Sequence, residues 1–303
     1  EIMERGGTLV TVCPEYNPPS TKADYWIPCR AGLSDISIFL GAAKIIMDEG
    51  LVDVPYVKEY TDMPLLVRTD NLIRLHPDDF IPGYKAQALP KDGFTTKWMK
   101  NFNRDKMPDF VVWDTNTNKP VPITREDIGA KMLKKKIDPA LDGVFDIKLV
   151  NGKTITVMPL YEMYKIHLKD YDLDTVNQIS HAPKDLVVRL ARDMGTILPV
   201  EIHYGEGINH YFHATMHNRA SYVPLMLTGN VGPKGSGSHT WAGNYKAGNY
   251  QGSHWSGPGF AAMVAEDPFN PILDAAKNVD WKNVKGYLKG EEVSYWAHRD
   301  KAL

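Results

Sequence analysis

Cysteine is scarce in this chain of 303 residues: Cys13 and Cys29 are the only two. Two thiols are too few for a disulfide framework, and their spacing fits no zinc or iron–sulfur pattern. They read as partly buried structural thiols. An excess of positive charge is also missing. With 35 Lys and Arg against 37 Asp and Glu, the net charge is −2, which removes the electrostatic case for nucleic acid. Long hydrophobic runs are absent too. The longest, residues 36–47, is broken by Ser37, Gly41 and Lys44, so no direct membrane span is expected. No signal peptide or twin-arginine segment opens the sequence, and both ends read as cuts within a longer polypeptide. There is no G-x-G-x-x-G to support ordinary NAD binding and no H-E-x-x-H zinc signature. No Ser–His–Asp, Cys–His or paired-carboxylate arrangement stands out. Any chemistry therefore belongs to a cofactor.

What is present is the balance of a globular protein, 43% apolar and 24% charged. The run Thr8–Val12 followed by Pro14 predicts a short buried strand. "NPPSTKAD" is a breaker cluster in which Ser20 and Thr21 bond nearby backbone. "YWIPC" predicts a second strand. "SDISIFLGAAKIIMDEG" predicts a helix with Ser34 or Asp35 as N-cap, Ile36, Phe39, Leu40, Ala43 and Ile46 or Met47 on its apolar face, and Gly50 closing it. Strand, loop, strand, loop, helix is half of a doubly wound α/β unit. Residues 55–158 are then rich in proline and turns. They predict a strand pair in "YTDMPLLVRTDNLIRL", a hairpin around Asn116–Asn118 and a hairpin around Asn151-Gly152. After this β-rich insertion the α/β pattern resumes: a helix in "PLYEMYKIHLKDY", one opened by Asp174, one running from Pro183 to Gly195, a buried strand in "ILPVEIHYG", and a helix carrying Pro224. The expected division is 1–54 and 159–262 as two parts of an α/β core, 55–158 as the insertion, and 263–303 as a tail.

Three constellations compete for chemistry. His210, His213 and His217 share one helical face, where a metal is geometrically possible, but no matching carboxylate or thiolate pattern accompanies them. Glu15, just past a strand end, suits a ribose diol. Asp35, at a helix start, suits the two N–H groups of a guanine edge, or is simply an N-cap. Gly205 and Gly207 in "YGEGINH" lie between a strand and a helix, where missing Cβ atoms allow a ligand close to the backbone. The run from Gly229 to Gly259, with its asparagines, Gln251 and aromatics Trp241, Tyr245, Tyr250 and Trp255, would form a second wall, or pack only on itself.

Together these segments resemble the molybdopterin oxidoreductases of the dimethyl sulfoxide reductase superfamily. The resemblance is carried by "TLVTVCPEYNPPSTKADYWIPCRAGLSD", by "LTGNVGPKGSG" and, for the branch of nitrate reductases and nitrite oxidoreductases, by "YTDMPLLVRTD", "WAGNYKAGNYQGSHWSGPG" and "EDPFNP". It implies a doubly wound Rossmann-like core with a β-rich insertion. It also implies a molybdenum ion held by two pterin guanine dinucleotides. On that resemblance Cys13, Pro14, Glu15, Tyr16, Cys29, Gly32, Ser34 and Asp35 would line a guanosine end. Gly205, Glu206, Gly207, Asn209 and His210 would approach the pterin and pyrophosphate. Trp241, Gly243, Asn244, Tyr245 and Gln251 would lie near the metal side, and His210, His213 or Asn244 would orient an oxyanion or relay protons. The molybdenum-ligating aspartate and the cysteines for a [4Fe-4S] cluster are expected outside this stretch, so the chain supplies no metal ligand. The implied reaction is nitrite oxidation to nitrate by oxygen-atom transfer, with nitrate, selenate, chlorate or perchlorate reduction, or hydrocarbon oxidation, as alternatives. The implied partners are an iron–sulfur electron-transfer subunit, with or without a haem subunit, and a small oxyanion. A complex associated with a membrane, on the periplasmic side or in an internal compartment, is the implied setting. A cofactor-free module on the same fold and a zinc hydrolase at the histidine face remain the readings from other classes.

Overall fold

The expected first strand forms at Val10–Cys13 (β1), and Tyr25–Pro28 (β2) pairs with it in parallel, Val12 opposite Ile27. The structure is a computed structural model that describes residues 3–32, 34–89, 108–127, 131–208 and 214–239. Between the two strands the breaker cluster coils into a single 3-10 turn, Pro18–Lys22. Its N-cap Asn17 accepts from the backbone N–H of Ser20 at 3.1 Å, and the Thr21 hydroxyl donates to Pro18 O at 2.7 Å. Helix α1, Asp35–Asp48, follows and lies at the centre of the main core. Its buried surface is broader than the predicted stripe: Ile38, Ala42, Ala43 and Ile46 are all fully buried. Full burial of one such isoleucine contributes roughly 1.5–3 kcal/mol. The breadth has a cause. Four other helices pack on α1: α5 (Leu160–Leu168), α6 (Leu173–Ser180), α7 (Lys184–Thr196) and α8 (Ala214–Leu227). At Gly41 a Cβ would come within 2.7 Å of Val176 on α6, so only glycine lets the two backbones approach.

Helix α2, Val54–Tyr60, is capped by Asp53, and β3 is Leu66–Arg68. The predicted strand pair here reduces to β3 and one isolated bridge, Val67 to Arg74, because the chain turns tightly at Leu72, whose φ is +60°. A one-turn helix α3, Pro77–Phe80, follows. Both predicted hairpins form. Strands β4 (Phe110–Asp114) and β5 (Lys119–Ile123) turn at Asn118, and β6 (Phe145–Lys148) and β7 (Thr154–Pro159) turn at Gly152, φ +84°. The short helix α4, Lys131–Lys134, lies between the hairpins. The order β3-β7-β6 makes an antiparallel sheet with its own apolar cluster, including Leu66, Val111 and Val157, while Trp113 stacks on Phe145 at 4.0 Å.

Three further expectations are corrected. The N-cap of α6 is Asp172, not Asp174; its carboxylate accepts from Thr175 N at 2.8 Å. Helix α7 runs through Gly195 to Thr196 instead of ending there, and Gly195 is needed because a Cβ would meet Leu51 at 2.8 Å. The strand in "ILPVEIHYG" is β8, Glu201–His203, and it is not buried: Glu201 and His203 are exposed. Among the described residues it pairs on one side only, with β9, Gly237–His239, in parallel. The two parallel pairs, the antiparallel sheets and the helices make this a mixed α/β fold. Among the described residues no helix is long and apolar enough to cross a membrane.

Candidate functional site

The carboxyl ends of β1 and β2 open into the two loops that precede α1. Strand alternation sends Val10 and Val12 toward the core with Tyr25 and Ile27, and leaves Thr11 and Cys13 on the other face. There the Cys13 thiol donates to Glu15 O at 3.1 Å, and the Ser20 hydroxyl joins Thr11 Oγ1 at 2.9 Å. Trp26 Nε1 donates to Cys13 O at 3.0 Å, and Tyr16 lies edge-on against the Trp26 ring at 5.2 Å. Pro14, Glu15 and Tyr16 are exposed at this rim. Cys29, one residue past β2, belongs to the main core cluster.

The second loop is tied down at both ends. Arg30 N donates to Ser180 O at 2.6 Å, and the Ser34 hydroxyl donates to Arg30 O. Ser34 occupies the N-cap position, yet its side chain is committed to Arg30 and makes no cap bond. Asp35 is in the first turn, where its Oδ1 accepts from Ile36 N at 3.2 Å. Burial raises the Asp35 carboxyl above the ordinary range, against the opposing pull of its own and Ile36's backbone N–H and of His217 on α8. Burial likewise pushes the Cys29 thiol up to about 11, with the Asp35 charge adding and the Ser34 hydroxyl opposing. The structure thus gathers Cys29, Ser34 and Asp35, with Cys13 close enough to act on Cys29. Because the buried Cys29 thiol stays neutral at pH 8, iodoacetamide is expected to label Cys13 first and Cys29 only on unfolding, with a rate difference of about tenfold or more. Peptide mass mapping after timed quenching measures it.

Beside this loop is an open hollow of about 430 Å³ lined by Arg30, Ala31, Gly32, Ser34, Gln178 and Ile179. Gln178 and Ile179 were not foreseen. They come from the end of α6, far along the chain, and the hint was an isoleucine left 42% exposed there.

The second half of the region is built by β8, β9 and α8. Tyr204 N donates to His239 O at 2.9 Å and carries the parallel ladder one residue past β8. Gly205 and the 3-10 turn Glu206–Ile208 follow. A Cβ built on Gly205 or Gly207 would meet nothing within 4 Å, and neither residue has a left-handed φ. The protein's own packing therefore does not require glycine at either position. Among the described residues, three buried side-chain polar atoms lack hydrogen-bond partners: Tyr204 Oη, His217 Nδ1 and Ser238 Oγ. Burial raises the Tyr204 phenol; the Ser221 and Ser238 hydroxyls lie close enough to offset part of that, but neither meets its oxygen in hydrogen-bond geometry. Orphaned buried polar groups cost about 1–3 kcal/mol each, so they call for a partner. Open glycine positions and unpartnered donors fit a large polar ligand lying against the backbone.

The described part of the glycine-rich run extends from Gly229 to His239. Gly229, Gly232, Gly235 and Gly237 all have positive φ and shape the turn into β9. Within "LTGN", Asn230 is buried; it accepts from Val200 N at 2.8 Å and donates to Thr228 Oγ1 at 2.8 Å and Thr228 O at 3.1 Å. At the strand edge, His203 and His239 stack at 5.2 Å and share Glu201 Oε1 at 2.7 and 3.1 Å. Among the described residues no group of three His, Cys, Asp or Glu is arranged to hold a metal ion. Asn209, His210, His213, Trp241, Gly243, Asn244, Tyr245 and Gln251 lie outside the described residues.

No family model matches the chain. Among curated proteins it is 29% identical over 268 residues to the perchlorate reductase alpha subunit of Dechloromonas aromatica, covering 81% of this chain and 26% of that protein. It is 28% identical to the respiratory nitrate reductase alpha subunit of Haloferax mediterranei, over 82% of this chain and 24% of that protein. It is 27% identical to the chlorate reductase alpha subunit of Ideonella dechloratans, again over 82% and 24%. The chain thus spans about a quarter of the length of these relatives. Expectation and comparison meet here: the chain is a relative of the molybdopterin oxidoreductase alpha subunits.

Proposed function

We propose that this chain is part of the catalytic subunit of a molybdenum bis(pterin guanine dinucleotide) oxidoreductase that acts on a small oxyanion, with nitrite oxidation to nitrate as the first reading. The observation that carries it is the coincidence of two open glycine positions, Gly205 and Gly207, with three unpartnered buried polar atoms on the adjoining elements. Supporting it are the relatives named for perchlorate, nitrate and chlorate reduction. Those names also favour a second reading, the same chemistry run as oxyanion reduction. The two parallel strand pairs would belong to one doubly wound sheet, with 55–158 inserted between its parts, 1–54 and 159–262. A tail, 263–303, would lead onward.

When bound, the molybdenum cofactor supplies two-electron oxygen-atom transfer. The chain's own residues would hold it. Asp35 offers a carboxylate at the strand ends to paired N–H donors of a guanine edge, the arrangement that charge-assisted hydrogen bonds favour. Arg30 and Ile179, at the neighbouring hollow, offer a cationic plane and an apolar surface to a flat ring. Gly205 and Gly207 leave room for the ligand to approach the backbone. Tyr204, Ser238 and His217 carry the polar atoms that need a partner. Near the metal side, His210, His213 and Asn244 would orient the oxyanion or move a proton. Electrons would pass through a [4Fe-4S] cluster, held outside this stretch, to an iron–sulfur subunit, with or without a haem subunit beyond it.

Metal and nucleotide analysis of the natively expressed polypeptide carrying this sequence tests the proposal. The expected result is about one molybdenum and about two guanine nucleotides per chain, the latter released as GMP by acid. Asp35→Ala is expected to lower both several-fold. Zinc without molybdenum, or no bound nucleotide, would refute it. Assays with nitrite and with nitrate, chlorate and perchlorate separate the two readings.

A further inference from the structure

The exposed end of α6 is firmly built. Ser180 is fully buried; its hydroxyl donates to Val176 O at 2.6 Å and accepts from Ala182 N at 3.1 Å. Asn177 Nδ2 donates to Ala182 O at 2.8 Å, and His181 turns the chain with φ +61°. The Ser180 carbonyl takes the Arg30 N–H at 2.6 Å, which fastens this helix end to the loop between β2 and α1. Between Asn177 and Ser180, both engaged by the turn, Gln178 and Ile179 stand exposed and line the hollow of about 430 Å³ together with Arg30, Ala31, Gly32 and Ser34. Among the described residues nothing bonds the Gln178 carboxamide. Small-molecule sites occupy roughly 300–1,000 Å³, so the hollow has room for a nucleotide base.

We propose that Gln178 is the specificity-determining residue of this hollow: its amide nitrogen donates to the ring carbonyl of a guanine base and selects against bases that lack that carbonyl. The inference rests on the guanine reading of Asp35 given above and goes beyond it by assigning the rest of the guanine edge. That edge presents two adjacent N–H donors and one carbonyl acceptor. A carboxylate only accepts, so Asp35 serves the two donors and leaves the carbonyl without a partner. Asp35 follows Ser34, and Ser34 lines the hollow opposite the end of α6. The side chains there that carry N–H donors are Arg30 and Gln178. A guanidinium plane suits the face of a ring, whereas a primary amide suits its edge.

The construction of the helix end favours this role. Its backbone is already fixed by Asn177, Ser180 and the Arg30 bond, so little ordering is left to oppose binding at residue 178. Ile179 offers an apolar surface to the same ring. A site built to hydrogen-bond one group rejects an analogue without it, because its own polar atom is then left unpaired. Replacing the amide by a carboxylate sets two acceptors against each other and turns the preference toward an amino-bearing base.

The test is equilibrium dialysis of GMP, AMP and thioguanosine monophosphate against the polypeptide carrying this sequence, expressed in cells that make no pterin cofactor. The thio analogue keeps both N–H donors and exchanges only the carbonyl oxygen for a weakly accepting sulfur. The parent is expected to bind GMP about tenfold more tightly than either competitor. Gln178→Leu should reduce the preference for GMP over its thio analogue to about twofold or less, and Gln178→Glu should weaken GMP about tenfold without weakening AMP. Because Gln178 is exposed, thermal unfolding of both variants should match the parent. Undiminished discrimination in Gln178→Leu overturns the proposal, and so does an equal loss of all three nucleotides, which marks a merely structural position. The two readings fail separately. If GMP binding falls with Asp35→Asn yet ignores residue 178, the guanine reading stands and the role of Gln178 falls. If the parent binds no GMP, both fall.

Discussion

Asn230→Leu is expected to lower the unfolding free energy by about 3 kcal/mol, with the midpoint of thermal unfolding falling by about 5 °C. The size comes from what the amide does. One oxygen takes the Val200 N–H at the entrance to β8, and one nitrogen serves two oxygens of Thr228. Leucine has nearly the right volume, but it leaves the Val200 donor unpaired and two oxygens short of a partner. The residue before it is as constrained: Gly229 has φ +70°, and a Cβ there would meet the Asp53 carboxylate at 2.7 Å. Leu227 itself is fully buried and its carbonyl accepts from Asp53 N at 2.8 Å. Lys234→Ala, on the exposed turn just beyond, is the control and should change stability by less than about 0.5 kcal/mol. Calorimetry of the three proteins at one pH makes the comparison. A loss below about 1 kcal/mol for Asn230→Leu would mean that water replaces the amide and that "LTGN" does not fasten α8 to β8.

That result also bears on what the sequence discloses. Local signals carried the hairpins, because Asn151-Gly152 and the Asn116–Asn118 turn sit between strands of period two. They carried α1 as well, through apolar spacing and Gly50. They did not carry its full burial, which depends on four helices drawn from distant parts of the chain. Nor did they reveal that β8 is exposed. "ILPVEIHYG" has the composition of a buried strand, but exposure depends on how many neighbours a strand finds, and that is a tertiary fact. The candidate site divides in the same way. Asp35 and the two glycines at 205 and 207 could be read from position alone, as a carboxylate at a helix start and bare backbone between strand and helix. Tyr204, Ser238 and Gln178 could not. Each becomes visible only when a buried atom is seen to lack a partner, or when two distant helices are seen to touch.

Gly205→Val and Gly207→Val together separate a ligand cradle from a structural turn. Because a Cβ at either position meets nothing and neither backbone is left-handed, the pair should not destabilise the chain; thermal unfolding should stay within about 2 °C of the parent, or rise slightly as the unfolded chain loses freedom. Molybdenum and guanine nucleotide in the native polypeptide should nonetheless fall about tenfold, since two isopropyl groups would stand where a ligand has to approach the backbone. The contrast with Asn230→Leu is informative. One substitution costs stability by breaking a buried junction, and the other spares stability while excluding a ligand. If the valine pair kept full cofactor while staying folded, the open space beside residues 205–207 would be solvent-facing turn, and the three unpartnered polar atoms nearby would need water as their partner.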